Sequence, residues 1–283
     1  MADPTLALTA AIENATKVAN TPLFTSVIDK VTGFKISKWA AEGEVRKKQI
    51  HDEYENQKSN GIVGVQYISA LRSTTNLINT AIKTTEYIEE GKTNEIKIEN
   101  DFFWGMIEHA KEISNEEIQE LIAKILAGEY NSPGTYSMNT LQILKSLGKN
   151  DLEKFSLLGV SYLPDHGFVR GFFGMEKNSL EARTKIGLDY ADFLEMQNLG
   201  LIQSGDYTIS VNMEKEKVFK MTYANGLIKI KALEDKKDWN FPSCYQLTTA
   251  GKQIWQHLEK KESEVFRDWL KDYLKKEGIE VLT

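Results

Sequence analysis

The sequence has 283 residues, 41% of them hydrophobic and 27% charged, which suits a globular chain with a sizeable core and room for two domains. Its formal net charge of −6 argues against broad, non-specific nucleic-acid binding, which depends on neutralising phosphates, but leaves room for a local basic patch. A single cysteine, Cys244, excludes an internal disulfide and fits a reducing cytoplasm.

The N-terminus lacks a basic stretch followed by an apolar run and a small-residue cleavage site, and no segment approaches the roughly 20 apolar residues a bilayer span needs. A cytoplasmic location is expected. Residues 1–20 are Ala- and Thr-rich and weakly helical. Leu23, Phe24, Val27, Ile28 and Val31 then form an apolar stripe at helical spacing that ends near Gly33. Lys30, Lys35 and Lys38 flank it, so the stripe could lie on a membrane surface; packing in the core is preferred. Residues 35–58 are charged on nearly every face, with only Trp39, Val45, Ile50 and Tyr54 as anchors. Those anchors could pack on the chain's own helical domain, giving a monomer, or on the same segment of another copy; the preferred expectation is a homo-oligomer, most simply a dimer, held partly by residues 20–90. Ile68, Leu71, Leu77, Ile78, Ile82 and Tyr87 mark one more helix before the polar "EEGKTNE" closes an N-terminal helical region, 1–90.

In 91–160, a helical core region, Phe103, Met106, Ile107 and Ala110 share a helical face. Ser114 and Glu117 stand in the S-x-x-E arrangement of a capping box, so a helix is expected to begin there. Ile118, Leu121, Ile122, Ile125 and Leu126 keep its apolar stripe. Gly128 is expected to end that helix, and "NSPG" to turn the chain through Pro133 and Gly134. Ser137 or Thr135 would cap a helix with Leu141, Leu144 and Leu147, and Asn150 with Glu153 would cap another with Leu152 and Phe155 inward. The glycines of this stretch do not match G-x-x-x-x-G-K-[ST] and no strand precedes them, so it reads as a hinge between helices rather than a phosphate cradle.

From Ser179 the pattern changes. "SLEARTKIGLDYADFLEMQNLGLIQSG" reads as helix up to Leu199, stopped by Gly200, with an extended segment from Leu201. "KVFKMTYANGLIKIKAL" alternates on both sides of Asn225–Gly226, a hairpin signal. A short strand near "SCYQL" and one long terminal helix complete 161–283. The expected fold is mainly α with a small antiparallel β part: a helical N-terminal half and a winged-helix-like C-terminal half with the hairpin as its wing.

The run "ISNEEIQELIAKILAGEYNSPGTYSMNTLQILKSLGKNDLEKF" resembles the core of an uncharacterised bacterial domain family, with the pattern I-S-[DN]-E-E-x-Q-x-L-x-A-K-I-L-A-G-E followed by P-G-[ST]-[FY]-S. "FLEMQNLGLI" and "YQLTTAGKQI" resemble its C-terminal half, and the resemblance extends over roughly residues 35–260. Ile122 stands where members often have tryptophan. The resemblance implies a bacterial or prophage protein related to abortive infection and phage defence, and it supplies no catalytic residues.

His51, His109, His166 and His257 are scattered without metal-ligand spacing, and Cys244 has no obvious base beyond His257, so neither a metal nor a cofactor is expected. Asp165, His166 and Arg170, in the glycine-framed "LPDHGFVRGFFG", could form an anion or ligand loop with Arg170 as clamp. A structural role is favoured there, with Phe168, Phe172 and Phe173 turned into the core. Lys215, Lys217, Lys220, Lys229 and Lys231 decorate the wing, where they could touch phosphates, but Glu214, Glu216, Glu234 and Asp235 are interspersed. The helix that would enter DNA carries Glu181, Asp189, Asp192 and Glu195. The favoured expectation is a non-enzymatic protein that works by protein–protein contact in anti-phage defence. A winged-helix DNA-binding regulator stands second, and a membrane-surface effector acting through the N-terminal stripe third.

Overall fold

The computed structural model of the chain describes residues 3–18, 48–89 and 101–282. The stripe Leu23–Val31, Lys30, Lys35, Lys38, and the anchors Trp39 and Val45 lie outside the described residues. The fold is mainly helical with small sheets whose named strands all pair antiparallel. It divides into two compact units, Met1–Leu141 and Gln142–Thr283.

In the first unit, α1 (Pro4–Val18), a helical stretch at 48–58 (α2) and α3 (Ile62–Thr85) enclose one cluster of Leu8, Ala11, Ile50, Tyr54, Leu71, Ile78 and Ala81. Two of the four anchors in the charged segment, Ile50 and Tyr54, are thus buried within their own chain. The central α3 also packs against α4 (Asp101–Glu112) and α5 (Glu116–Asn131). Its Thr75, Thr80 and Thr84 hydroxyls donate to the carbonyls of Leu71, Asn76 and Thr80, so polar side chains enter this core with their bonds made.

α5 begins one residue later than the S-x-x-E arrangement predicts. Asn115 is its cap, accepting from the Ile118 N–H at 3.0 Å, while Ser114 Oγ accepts from Arg72 Nε at 3.0 Å. Nor does Gly128 end the helix, which continues to Asn131. A Cβ on Gly128 would lie 2.5 Å from Tyr136 Oη, so the glycine is needed for close approach of a ring. The turn after it is held by Glu129, a buried carboxylate that accepts from the N–H groups of Gly134 (2.7 Å) and Tyr136 (3.2 Å). Ser137 rather than Thr135 caps α6 (Met138–Ser146), accepting from the Thr140 N–H at 3.2 Å. At the start of α7 (Lys149–Leu158), Asp151 accepts from the Gly148 N–H at 2.8 Å, in place of the predicted Asn150 and Glu153.

The second unit runs α7, β1 (Tyr162–Leu163), β2 (Gly167–Val169), a 3-10 turn at Arg170–Phe173, α8 (Lys177–Ile186), α9 (Tyr190–Asn198) and β3 (Ile202–Tyr207). β4 (Ser210–Met213), β5 (Val218–Tyr223), β6 (Gly226–Ala232), β7 (Lys236–Asn240) and β8 (Cys244–Leu247) follow, then α10 (Thr249–Trp255), α11 (Glu264–Lys275) and β9 (Ile279–Leu282). The strands form sheets in the orders β1-β2-β8-β3, β4-β7 and β5-β6-β9.

Three sequence expectations are corrected here. The helix expected up to Leu199 is two helices, because Gly187 takes φ 84° and Asp189 starts α9 by accepting from the Tyr190 N–H at 2.6 Å. The hairpin turn is Ala224–Asn225, one residue earlier than expected: Gly226 pairs with Tyr223 in the ladder and Ala224 takes φ 48°. The long terminal helix is α10 and α11 with a strand after them. Ser263 caps α11, and its N–H donates to Tyr223 Oη at 2.8 Å, while the tyrosine donates to the Val160 carbonyl at 2.8 Å. One buried phenol thereby ties the hairpin to the ends of two helices.

Candidate functional site

The loop 164–174 and the β5–β6 hairpin both belong to the second unit. Asp165 closes the β1–β2 turn and its Oδ2 accepts from the Thr222 N–H of β5 at 2.7 Å. That backbone bond holds its carboxyl below the usual carboxylate range. The His166 ring lies tilted against that of Phe241, centroids 4.3 Å apart, and the His166 carbonyl accepts from Tyr207 Oη and from Gln246 Nε2. Arg170 donates through Nη1 to Asp206 Oδ2 at 3.0 Å, and its backbone N–H bonds the Ser243 carbonyl at 2.7 Å. The three side chains are turned to three different partners. Phe168, Phe172 and Phe173 are buried, as expected, but the adjacent Phe172 and Phe173 reach the core from the 3-10 turn rather than by strand alternation.

Burial pushes the His166 imidazole below its usual value. The folded state therefore takes up its proton less readily than the unfolded chain. Its contribution to stability is present above the ordinary histidine range, near pH 6.5, and is lost as pH falls toward the lower folded value. Thermal melts of wild type and His166→Gln between pH 7.5 and 5 are expected to show a shallower acid-side loss in the variant. Parallel slopes would exclude His166 as the source.

The hairpin expected as a wing does not extend the β1-β2-β8-β3 sheet but pairs with β9 in a sheet of its own, and its five lysines separate into distinct environments. Lys217 pairs with Glu214 at 3.2 Å, and Lys231 sits between Glu216 at 2.8 Å and Glu280 of β9 at 3.1 Å. Lys215 is exposed, and its backbone N–H donates to Asp235 Oδ1 at 2.6 Å. Lys220 and Lys229 face each other directly across β5 and β6. Neither has an acidic partner among the described residues. Register places Val218 and Leu227 on the same outer face, 45% and 50% exposed. Strand alternation in the sequence already carried this grouping; what it could not carry was Glu280 of β9, which joins the interspersed Glu216 on Lys231. On α9, Asp192 and Glu195 both reach Lys154 of α7, at 3.0 and 2.8 Å.

The other candidates stand apart. Cys244 is buried, its thiol is pushed up to about 12 by that burial, and Sγ lies 3.1 Å from the Pro242 carbonyl it donates to. Such a thiol supplies little thiolate for nucleophilic attack. His51 lies 3.8 Å from Asp3, His109 is buried in α4, and His257 neighbours Gln256. Among the described residues no three His, Cys, Asp or Glu side chains cluster as metal ligands, and no helix is long and apolar enough to cross a membrane.

No curated protein and no solved structure matches the chain. A family model does: that of "Protein of unknown function (DUF2806)", over residues 69–271, and with most of its length matched the chain belongs to the DUF2806 family.

Proposed function

We propose that the chain acts without catalysis, by binding another protein, and that the outer face of hairpin β5–β6 is the contact surface. The observation that carries this is the opposed pair Lys220 and Lys229, flanked by exposed Val218 and Leu227. Like charges directly across a ladder destabilise it by up to about 1 kcal/mol. Apolar side chains beside them are left in water. A partner that brings carboxylates over an apolar patch relieves both costs at once. Anti-phage defence is the proposed setting, on the resemblance of the 113–155 run alone.

In this proposal Lys220→Glu/Lys229→Glu abolishes capture of the partner that the wild-type chain retains from phage-infected bacterial cells. Both positions are exposed, so its melting curve should match wild type. Equal capture by wild type and variant would remove the hairpin from the contact.

A DNA-binding regulator is the second reading. The order α7–β2–α8–α9–β3–β8, with β8 between β2 and β3, supports a winged-helix-like arrangement of this unit. α9 would then enter the major groove, yet it carries Asp192 and Glu195, and phosphates repel carboxylates. Fluorescence anisotropy with duplex DNA at about 50 mM salt is expected to stay flat. Nanomolar binding that falls steeply with salt would reverse the preference.

A further inference from the structure

Residues 62–71 of α3, "IVGVQYISAL", contain no charged side chain. Only Gly64 and Leu71 of this stretch are buried, and Tyr67 packs partly against the cluster below. Ile62, Val63, Val65 and Ile68 stand 79%, 52%, 68% and 36% exposed. Later in the same helix the pattern is the ordinary one, with Leu77 and Ile78 at 1% and 0%. Helix faces turned to water normally carry charged or polar side chains, so three turns of exposed, uncharged, β-branched surface call for a cover.

We infer that this face of α3 pairs with the same face of a second copy of the chain, forming a two-fold homodimer. The area admits a weak, reversible dimer. Ile62, Val65, Gln66 and Ser69 lie within about 100° of the helix circumference, with Val63 and Ile68 at the two flanks, and complete covering of all the exposed side chains would remove at most about 600 Å² per chain. Two copies would therefore bury no more than about 1,200 Å², the size class of transient contacts. The charge pattern selects a second copy as the occupant. A two-fold axis sets a patch against itself, so any charge within it meets its like, and this patch has none. Arg72, at its border, is turned to Ser114 Oγ at 3.0 Å and the Glu112 carbonyl at 3.4 Å. A lipid surface fits less well, because interfacial helices flank their apolar face with lysine and arginine. The nearest preceding lysine, Lys58, is paired with Glu55 at 3.4 Å. This surface lies in the first unit and is independent of the hairpin proposed above as the partner contact.

Sedimentation velocity on the full chain from about 1 to 100 µM, a range spanning the affinities expected of an interface this size, should show the dimer. Val65→Glu replaces an exposed side chain and sets two carboxylates against each other across the axis. It should raise the dissociation constant at least about 100-fold while leaving the far-UV circular dichroism spectrum unchanged. Single cysteines at Ile62, Val65 and Ile68 provide a second readout, since the native Cys244 is buried. Under copper–phenanthroline at least one of the three should give a disulfide-linked dimer that wild type does not. A wild type that stays monomeric to 100 µM, a dimer that survives Val65→Glu, or three cysteine variants that do not cross-link would each overturn the proposal. Monomeric wild type that co-sediments with phosphatidylcholine vesicles, and loses them in Val65→Glu, would overturn it by assigning the face to lipid. Lys220→Glu/Lys229→Glu should dimerise as wild type does, which separates this interface from the hairpin contact.

Discussion

Replacing Gly251 with alanine is expected to destabilise the unit Gln142–Thr283 by on the order of 3 kcal/mol or more. At the first turn of α10 the backbone crosses the junction between α9 and β3 so closely that an added Cβ would overlap the Leu201 carbonyl oxygen and lie 3.0 Å from its carbon. Both groups are main chain, so no rotamer change can make room. The Leu201 carbonyl also accepts from the Thr248 N–H at 3.0 Å, and Thr248 Oγ1 donates to the Gly200 carbonyl at 2.6 Å. Backing the two segments apart to admit a methyl would stretch those bonds and loosen the cap that Thr248 makes on the Gly251 N–H. A fall in Tm of roughly 10 °C corresponds to that loss in a unit of this size. Gly205→Ala is the control: nothing lies within 4 Å of its added Cβ, and no change in Tm is expected.

That glycine shows where sequence stops being legible. "LTTAG" marks a cap followed by a helix, and both are present, but the strand junction that forbids a Cβ arrives from fifty residues upstream. Gly128 and Gly187 make the same point in opposite directions. Each stands after an apolar helical stripe, yet Gly187 ends its helix at φ 84° whereas Gly128 lies inside a helix against Tyr136. A glycine's freedom of φ and its lack of a side chain cannot be told apart until the neighbour is in place. Elements defined by their own periodicity were legible: the apolar stripe of α5 and the alternation of β5 and β6 both stand as written. β9 was not, because four residues after a helix carry too little pattern, and only pairing with β6 makes Ile279–Leu282 a strand. The candidate site divides the same way. Alternation groups Val218 with Lys220 and Leu227 with Lys229. The partners of Asp165 and Arg170, Thr222 and Asp206, lie 57 and 36 residues further on and follow only from the fold.

The loop 164–174 yields the second large effect, through its buried aromatic side chains. Phe172 is fully buried, with ring centroids 5.3 Å from Phe173, 5.2 Å from Phe266 and 4.9 Å from Trp269. It joins the 3-10 turn to α11. The backbone around it is bonded to α8 as well: Ser179 Oγ donates to the Gly171 carbonyl at 2.9 Å and receives Trp269 Nε1 at 3.0 Å. Arg183 donates to the carbonyls of Phe172 and Gly174. Phe172→Ala removes the ring while these bonds hold the turn in place, so the cavity cannot collapse. A loss of about 3–5 kcal/mol is expected, with Phe172→Leu recovering most of it by filling the volume. Arg170→Ala should leave the denaturation midpoint unchanged, because its ion pair with Asp206 is made by a side chain 61% exposed to water. Urea titrations of the three variants decide the matter. A midpoint that falls sharply for Phe172→Ala and not for Arg170→Ala identifies the loop as a packed joint between helices. The reverse order would mean that Arg170, and not the aromatic cluster, is what the loop is built to hold.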